Sequence, residues 1–192
     1  MPELGEQIHE AVEHAHEHNS RLTSMVALLV ALSATFGALA SVKDRNITLR
    51  MNQAQAKSID TWNYYQAKSM KQNLAEATLD ELGAMPASPE VASRLDNYRK
   101  QVVRYDHEKG EVKDEAEGYE KKYEALNQQH DLFDLCEAAL SVGIALLGVT
   151  ALTRKWALFY VGCVFVALGV FFGLAGFMNL PIHPESLASW LA

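Results

Sequence analysis

Four histidines near the start of the chain, His9, His14, His16 and His18, are interleaved with Glu6, Glu10, Glu13 and Glu17. His14 and His18 stand one helical turn apart, and two imidazoles at that spacing with carboxylates beside them can ligate Zn or Ni. No cysteine joins them and no closed set of four ligands is evident. The same stretch also reads as an acidic amphipathic tail with Leu4, Ile8, Val12 and Ala15 along one side. A second pair, Asp134 and Glu137, opens a long apolar stretch, where carboxylates could line the mouth of a pore. A third group, Asp60, Trp62, Tyr64, Tyr65, Gln66, Lys68 and Ser69, places aromatic rings with polar tips beside amide, hydroxyl and ammonium donors. Such a surface can pack a polar stretch of helix, set subunit register, or recognise a partner helix, a lipid headgroup or a small ligand. The chain has no serine elbow, phosphate loop, dinucleotide glycine motif or convergent Cys/His pair, so neither catalysis nor a cofactor is expected.

The elements that must position these groups follow from how charge is distributed. Of 192 residues, 49% are hydrophobic and 21% charged, but the two kinds are segregated. No charge occurs from Leu22 to Val42, from Ala138 to Thr153 or from Trp156 to Pro184, whereas residues 43–131 hold 14 of the 17 Lys and Arg. At about 1.5 Å per residue, the stretch from Leu22 to Val42 covers roughly the 30 Å hydrocarbon layer. Three transmembrane helices are expected, at 22–42, 132–153 and 156–178. The last two are joined by a tight Arg154-Lys155 turn, with Trp156 and Tyr160 suited to the interface. The acidic tail at 1–21, with only Arg21 as a basic flank, is a poor secretory signal. Residues 179–192, with Pro184 before Leu187, Trp190 and Leu191, read as a short interfacial segment. Gly162, Gly169, Gly173 and Gly176 in the third crossing, and Ala27, Ala31, Ala34, Ala38 and Ser41 in the first, are expected to be helix contact faces. Cys136 and Cys163 lie in apolar stretches and read as small buried hydrophobes.

Between the first and second crossings, residues 43–131 read as a water-exposed helical hairpin with its tip at 83–89. From Val91, alternating steps of four and three pass through Leu95, Tyr98, Val102, Tyr105, Lys109, Val112, Ala116, Tyr119, Tyr123, Leu126, His130, Phe133 and Glu137. Eleven of these fourteen are apolar, the pattern of a coiled-coil seam, and it runs without proline into the second crossing. Lys109 and His130 interrupt it as register devices or local openings. Gly110 and Gly118 weaken the helix but permit close contact. The opposing stripe is Ile47, Met51, Ala54, Ser58, Thr61, Tyr65, Lys68, Gln72, Ala75, Leu79 and Leu82, apolar at its ends and polar in the middle. Gly83, Pro86 and Pro89 punctuate the tip, with Ser88 or Pro89 opening the second arm. The fold class is therefore all-α, three crossings with a long antiparallel hairpin between the first and second.

The stretch Ser58 to Leu74, SIDTWNYYQAKSMKQNL, resembles the bacterial membrane-protein family designated domain of unknown function 4337. The resemblance is specific at Asp60, Trp62, Tyr65, Gln66, Ala67, Lys68 and Ser69. Its layout of one crossing, a helical region opening with this motif, and a closing two-crossing hairpin extends over nearly the whole chain. It implies a bacterial inner-membrane protein and no particular activity.

The net charge of -7 excludes a basic footprint for nucleic acid, since the hairpin region balances 14 basic against 16 acidic residues. The expected partners are membrane lipid, further copies of the chain, and a larger membrane complex in which it would be an accessory subunit. Two functional classes remain: a homo-oligomeric scaffold or adaptor, and an oligomeric channel or transporter for ions or metals with Asp134 and Glu137 at its mouth. Six Lys and Arg flank the crossings on the hairpin side against three on the other, which tips the hairpin toward the cytoplasm.

Overall fold

The computed structural model describes residues 2–180, with side-chain positions from Arg21 onward. The described residues form three helices and no strand: α1 (Pro2–Gly83), α2 (Pro89–Thr153) and α3 (Trp156–Phe177). Each contains a stretch long and apolar enough to cross a membrane. The tail histidines' side chains and the expected interfacial segment beyond Leu180 lie outside the described residues. Cα packing divides the chain into two units, one comprising residues up to Thr48 and from Asn127 onward, the other Leu49–Leu126.

The helix ends are made by short-range chemistry. Ser88 accepts a hydrogen bond from the Val91 N–H on its Oγ (3.2 Å), and Pro89, whose missing N–H costs nothing in a first turn, begins α2. At the other end of α2, Arg154 takes a left-handed φ of 54°, its N–H donating to Thr150 O at 2.8 Å. Two residues then suffice to start α3. That helix closes with the N–H of Leu180 on Ala175 O (3.0 Å) and of Asn179 on Gly176 O (3.3 Å), Asn179 supplying the left-handed residue.

In the first unit, α3 packs through its glycines. Gly162, Gly169, Gly173 and Gly176 are all buried. A Cβ on Gly169 would stand 2.7 Å from Leu140, and one on Gly173 2.6 Å from Phe36 and 2.9 Å from Cys136. Close approach is the only geometry these positions allow, and it gathers Phe133 and Phe177 edge to face at 5.3 Å, with Phe36 at 6.3 Å from Phe177. The alanine stripe of α1 behaves differently. Ala27, Ala31, Ala34 and Ala38 are exposed in this chain, and the covered face is Leu22, Val26, Ser33 and Ala40. These four alanines are thus uncovered within the single chain, while Ser41 of the same stripe is half-buried and borders the cleft against α2. Ser33 and Thr150, buried in this apolar setting, each donate to the carbonyl four residues earlier, at 2.7 and 2.8 Å.

In the second unit, the two arms run antiparallel and cover the stripes that the periodicity marks. From Met51 to Leu82 on α1 and from Val91 to Leu126 on α2, every stripe residue is buried or half-buried. Further along α2, in the first unit, Glu137 is the one seam position that is exposed. Gly110 and Gly118 are not at close contacts, since a Cβ on either would meet nothing within 4 Å.

Candidate functional site

Polar groups converge at two places, one in each unit. In the hairpin unit they form a ladder across the polar middle of the α1 stripe. The Trp62 indole N–H donates to Glu120 Oε1 at 2.7 Å, and its ring meets Tyr65 edge to face at 5.4 Å. Next along α1, the Lys68 ammonium pairs with Glu108 and lies over the rings of Tyr64 (5.1 Å) and Tyr105 (5.8 Å). Lys109, the basic interruption of the α2 seam, donates to Gln72 Oε1 at 2.8 Å, and Gln72 in turn donates to Glu76 at 3.0 Å. Both lysines on the covered face thus meet an oxygen from the opposite arm. Partly burying an ammonium is tolerable only with such a partner.

The electrostatics follow from this pairing. Hydrogen bonding to Glu108, then to Tyr64, raises the Lys68 pKa above 10.5 against the opposing effect of burial. The Lys68 hydrogen bond in turn holds the Glu108 carboxyl below 4.5, helped by the charges of Lys68, Arg104 and Lys71. The site's chemistry is that of paired charges and hydrogen bonds between the two arms.

The motif Asp60 to Ser69 is divided between two faces. Trp62, Tyr65, Lys68 and Ser69 are half-buried, whereas Asp60, Tyr64 and Gln66 are exposed. Asp60 lines a shallow depression with Gln53, Lys57, Tyr119 and Lys122. Glu108 and Glu120, which answer the motif, were not expected from the sequence. Antiparallel pairing places them on the facing arm but does not single them out, since Glu108 lies 20 residues past the tip at 84–88 against 16 before it for Lys68, and Glu120 lies 32 past it against 22 before it for Trp62.

In the other unit, His130 lies between two carboxylates. Its Nδ1 is 2.6 Å from Asp44 Oδ1, and its Nε2 is 3.7 Å from Asp134 Oδ2. Burial works against a charged imidazole here, but the Asp44 hydrogen bond and the charges of Asp44, Asp134 and Asp131 outweigh it, and the His130 pKa stands above 6.5. Asp44, not expected from the sequence, is thus the partner that His130 meets from its place in the seam. Asp44 also lines a cleft of about 190 Å³ between α1 and α2, together with Ser33, Ser41, Glu137 and Ser141. Of the two expected pore-mouth carboxylates, Glu137 lines this cleft and Asp134 instead faces His130; both are exposed.

No curated protein and no solved structure matches the chain. A family model does, over residues 22–179, which takes in all three apolar stretches, the hairpin, the motif and the His130 cluster. The chain belongs to this family, described as Domain of unknown function (DUF4337).

Proposed function

We propose that the chain is a non-enzymatic membrane scaffold or adaptor that assembles with copies of itself through the outer face of the first hairpin arm. One observation carries this reading. On the side of α1 away from the covered stripe, Leu49, Ala56, Ile59, Asn63, Met70, Leu74 and Ala77 recur at steps of three, four or seven, and all are exposed. The large apolar members are bare to 56% (Leu49), 57% (Ile59), 72% (Met70) and 69% (Leu74). No charge interrupts this stripe. The second arm contrasts with it, since Leu49–Gly83 carries four basic and four acidic residues while Pro89–Leu126 carries eight and ten. A hairpin with one charged arm and one arm bearing an uncharged heptad stripe is suited to pair through the latter.

A second copy is the fitting occupant. Copies inserted in one membrane in the same sense present identical stripes side by side and parallel, as a two-fold interface requires. Asn63 shares its heptad position with Leu49, Ala56, Met70 and Ala77, where a single polar residue favours one register. The hairpin is assigned to the cytoplasmic side of a bacterial inner membrane, supported by the six-to-three excess of Lys and Arg beside the crossings.

The test is oxidative crosslinking of Asn63→Cys in a chain whose Cys136 and Cys163 are replaced by Ala, with mass measurement in mild detergent. A covalent dimer is expected for Asn63→Cys and none for Asp114→Cys on the charged arm. Only monomers in both measurements would end the proposal. A second reading, an ion-conducting assembly, is favoured by the cleft that Ser33, Ser41, Asp44, Glu137 and Ser141 line. It predicts cation flux in liposomes that Glu137→Gln abolishes, and absence of any flux removes it.

A further inference from the structure

The Asp44, His130 and Asp134 side chains each bring one donor atom within 4.8 Å of the other two. The two distances at the ring differ in kind. The 2.6 Å contact of Nδ1 with Asp44 is a hydrogen bond, and it fixes the ring against a half-buried partner, His130 being 23% and Asp44 21% exposed. The 3.7 Å separation of Nε2 from Asp134 Oδ2 is too long for one. It is close to the roughly 3.4 Å that separates N and O when both bind one zinc at about 2.0 to 2.2 Å with tetrahedral angles. Glu137 lies on the same face of α2, three residues beyond Asp134 and seven beyond His130, and it borders the cleft that Asp44 also lines.

Charge points the same way. Among the described residues neither Asp44 nor Asp134 pairs with a lysine or arginine; both turn toward the one imidazole. The two carboxylates carry two negative charges around one imidazole, and a divalent cation at Nε2 takes the place of any ring proton there and balances both.

We infer that His130 and Asp134 bind a divalent transition cation, with Asp44 holding the ring from behind and Glu137 offering a further oxygen. Nε2 is the nitrogen ligand, and the Nδ1–H donated to Asp44 is the carboxylate–histidine–metal arrangement that orients imidazole ligands. Mixed nitrogen and oxygen donors suit Zn, Mn or Fe, whereas Mg and Ca prefer oxygen alone. With few protein ligands and one of them at an exposed position, the cation exchanges with solvent.

The test uses the full chain in detergent with His9, His14, His16 and His18 all replaced by Ala, so that the tail cannot contribute. Calorimetry with zinc chloride should give one equivalent per chain, with Kd in the range of about 1 to 100 µM. Asp134→Asn should weaken binding at least tenfold, and His130→Gln should abolish it. Asp44→Asn should weaken it by about 10- to 100-fold, as loss of an orienting carboxylate does. Asp134 is 63% exposed, so its variant keeps the fold, and unchanged helicity by circular dichroism checks this. Magnesium chloride should give no heat at the same concentrations. No zinc uptake at 100 µM by the tail-substituted chain, or unchanged affinity in both Asp134→Asn and His130→Gln, overturns the site.

Discussion

Lys68 and Glu108 form an ion pair between the two arms of the hairpin, with the ammonium over the rings of Tyr64 and Tyr105. The pair sits where the α1 stripe turns polar, and Glu108 is shared with Arg104, 3.5 Å away on its own arm. Removing Lys68 alone leaves Glu108 half-covered with only that longer contact. Lys68→Met should therefore lower the unfolding temperature more than the double substitution Lys68→Met with Glu108→Leu, which removes both charges. Equal losses in the single and double variants would mean that Glu108, left without Lys68, carries no penalty of its own.

The same pair sets a pH window. Glu108 has a lowered pKa, so its contribution is complete above the ordinary value of 4.5 and is lost as pH falls through the folded value. Lys68 has a raised pKa, so its contribution is complete below 10.5 and is lost as pH rises through its folded value. The difference in unfolding temperature between the native chain and the double variant should be flat between these limits and shrink beyond both. Melts across the pH range in detergent measure it, and a difference that stays constant into strong acid contradicts the pairing.

Trp62 contributes in two separable ways, through its N–H to Glu120 and through its ring on Tyr65. Trp62→Phe keeps an aromatic ring and loses the hydrogen bond, and should cost about 0.5 to 1 kcal/mol. Trp62→Ala also loses the half-buried ring and should cost roughly 2 kcal/mol. Denaturant titration separates the two, and if Trp62→Ala combined with Lys68→Ala changes neither stability nor assembly size, the motif does not pack the hairpin.

These contacts mark how far the chain could be read beforehand. Alternating apolar steps identify the covered faces of both arms, because a 3.5-residue period specifies which side of a helix turns inward. They do not identify which acidic residue meets Lys68, since Glu108, Glu111 and Glu115 all lie on the opposite arm and the choice depends on the register imposed by the 84–88 tip. His130 shows the same limit, being legible as a seam exception while Asp44 lies 86 positions away. The alanines of α1 and the glycines of α3 look alike as small-residue stripes. Only packing separates them: the α3 glycines receive Leu140, Phe36 and Phe133 within the chain, while the four alanines of α1 stay uncovered there.

The glycines divide into two classes with opposite expected effects. Gly169→Ala puts a methyl 2.7 Å from Leu140, with the Leu140 backbone nitrogen at 3.0 Å, so α2 and α3 must move apart at a cost of about 1 to 3 kcal/mol. Gly110→Ala and Gly118→Ala meet nothing within 4 Å and lie inside α2, where alanine is favoured over glycine by roughly 0.5 to 1 kcal/mol each. Unfolding measurements on the three variants should therefore give one loss and two gains. A gain for Gly169→Ala would contradict the close approach of α2 and α3.

Arg154 holds a left-handed backbone in a connection of only two residues, where glycine would carry no steric cost and a β-branched residue a large one. Arg154→Gly should raise stability by up to about 1 kcal/mol, and Arg154→Val should lower it by more than that. Arg154 is also half of the basic pair beside the apolar stretches, so the glycine variant removes one of the three flanking charges opposite the hairpin. Stability and topology can be read from the same protein: the unfolding temperature reports the backbone effect, while labelling of a cysteine at the hairpin tip reports orientation. A higher unfolding temperature with unchanged labelling is expected, because the positive-charge bias then moves further toward the side already assigned to the hairpin. If Arg154→Gly and Arg154→Val shift stability equally, the backbone at this turn is not left-handed and α2 ends in another way.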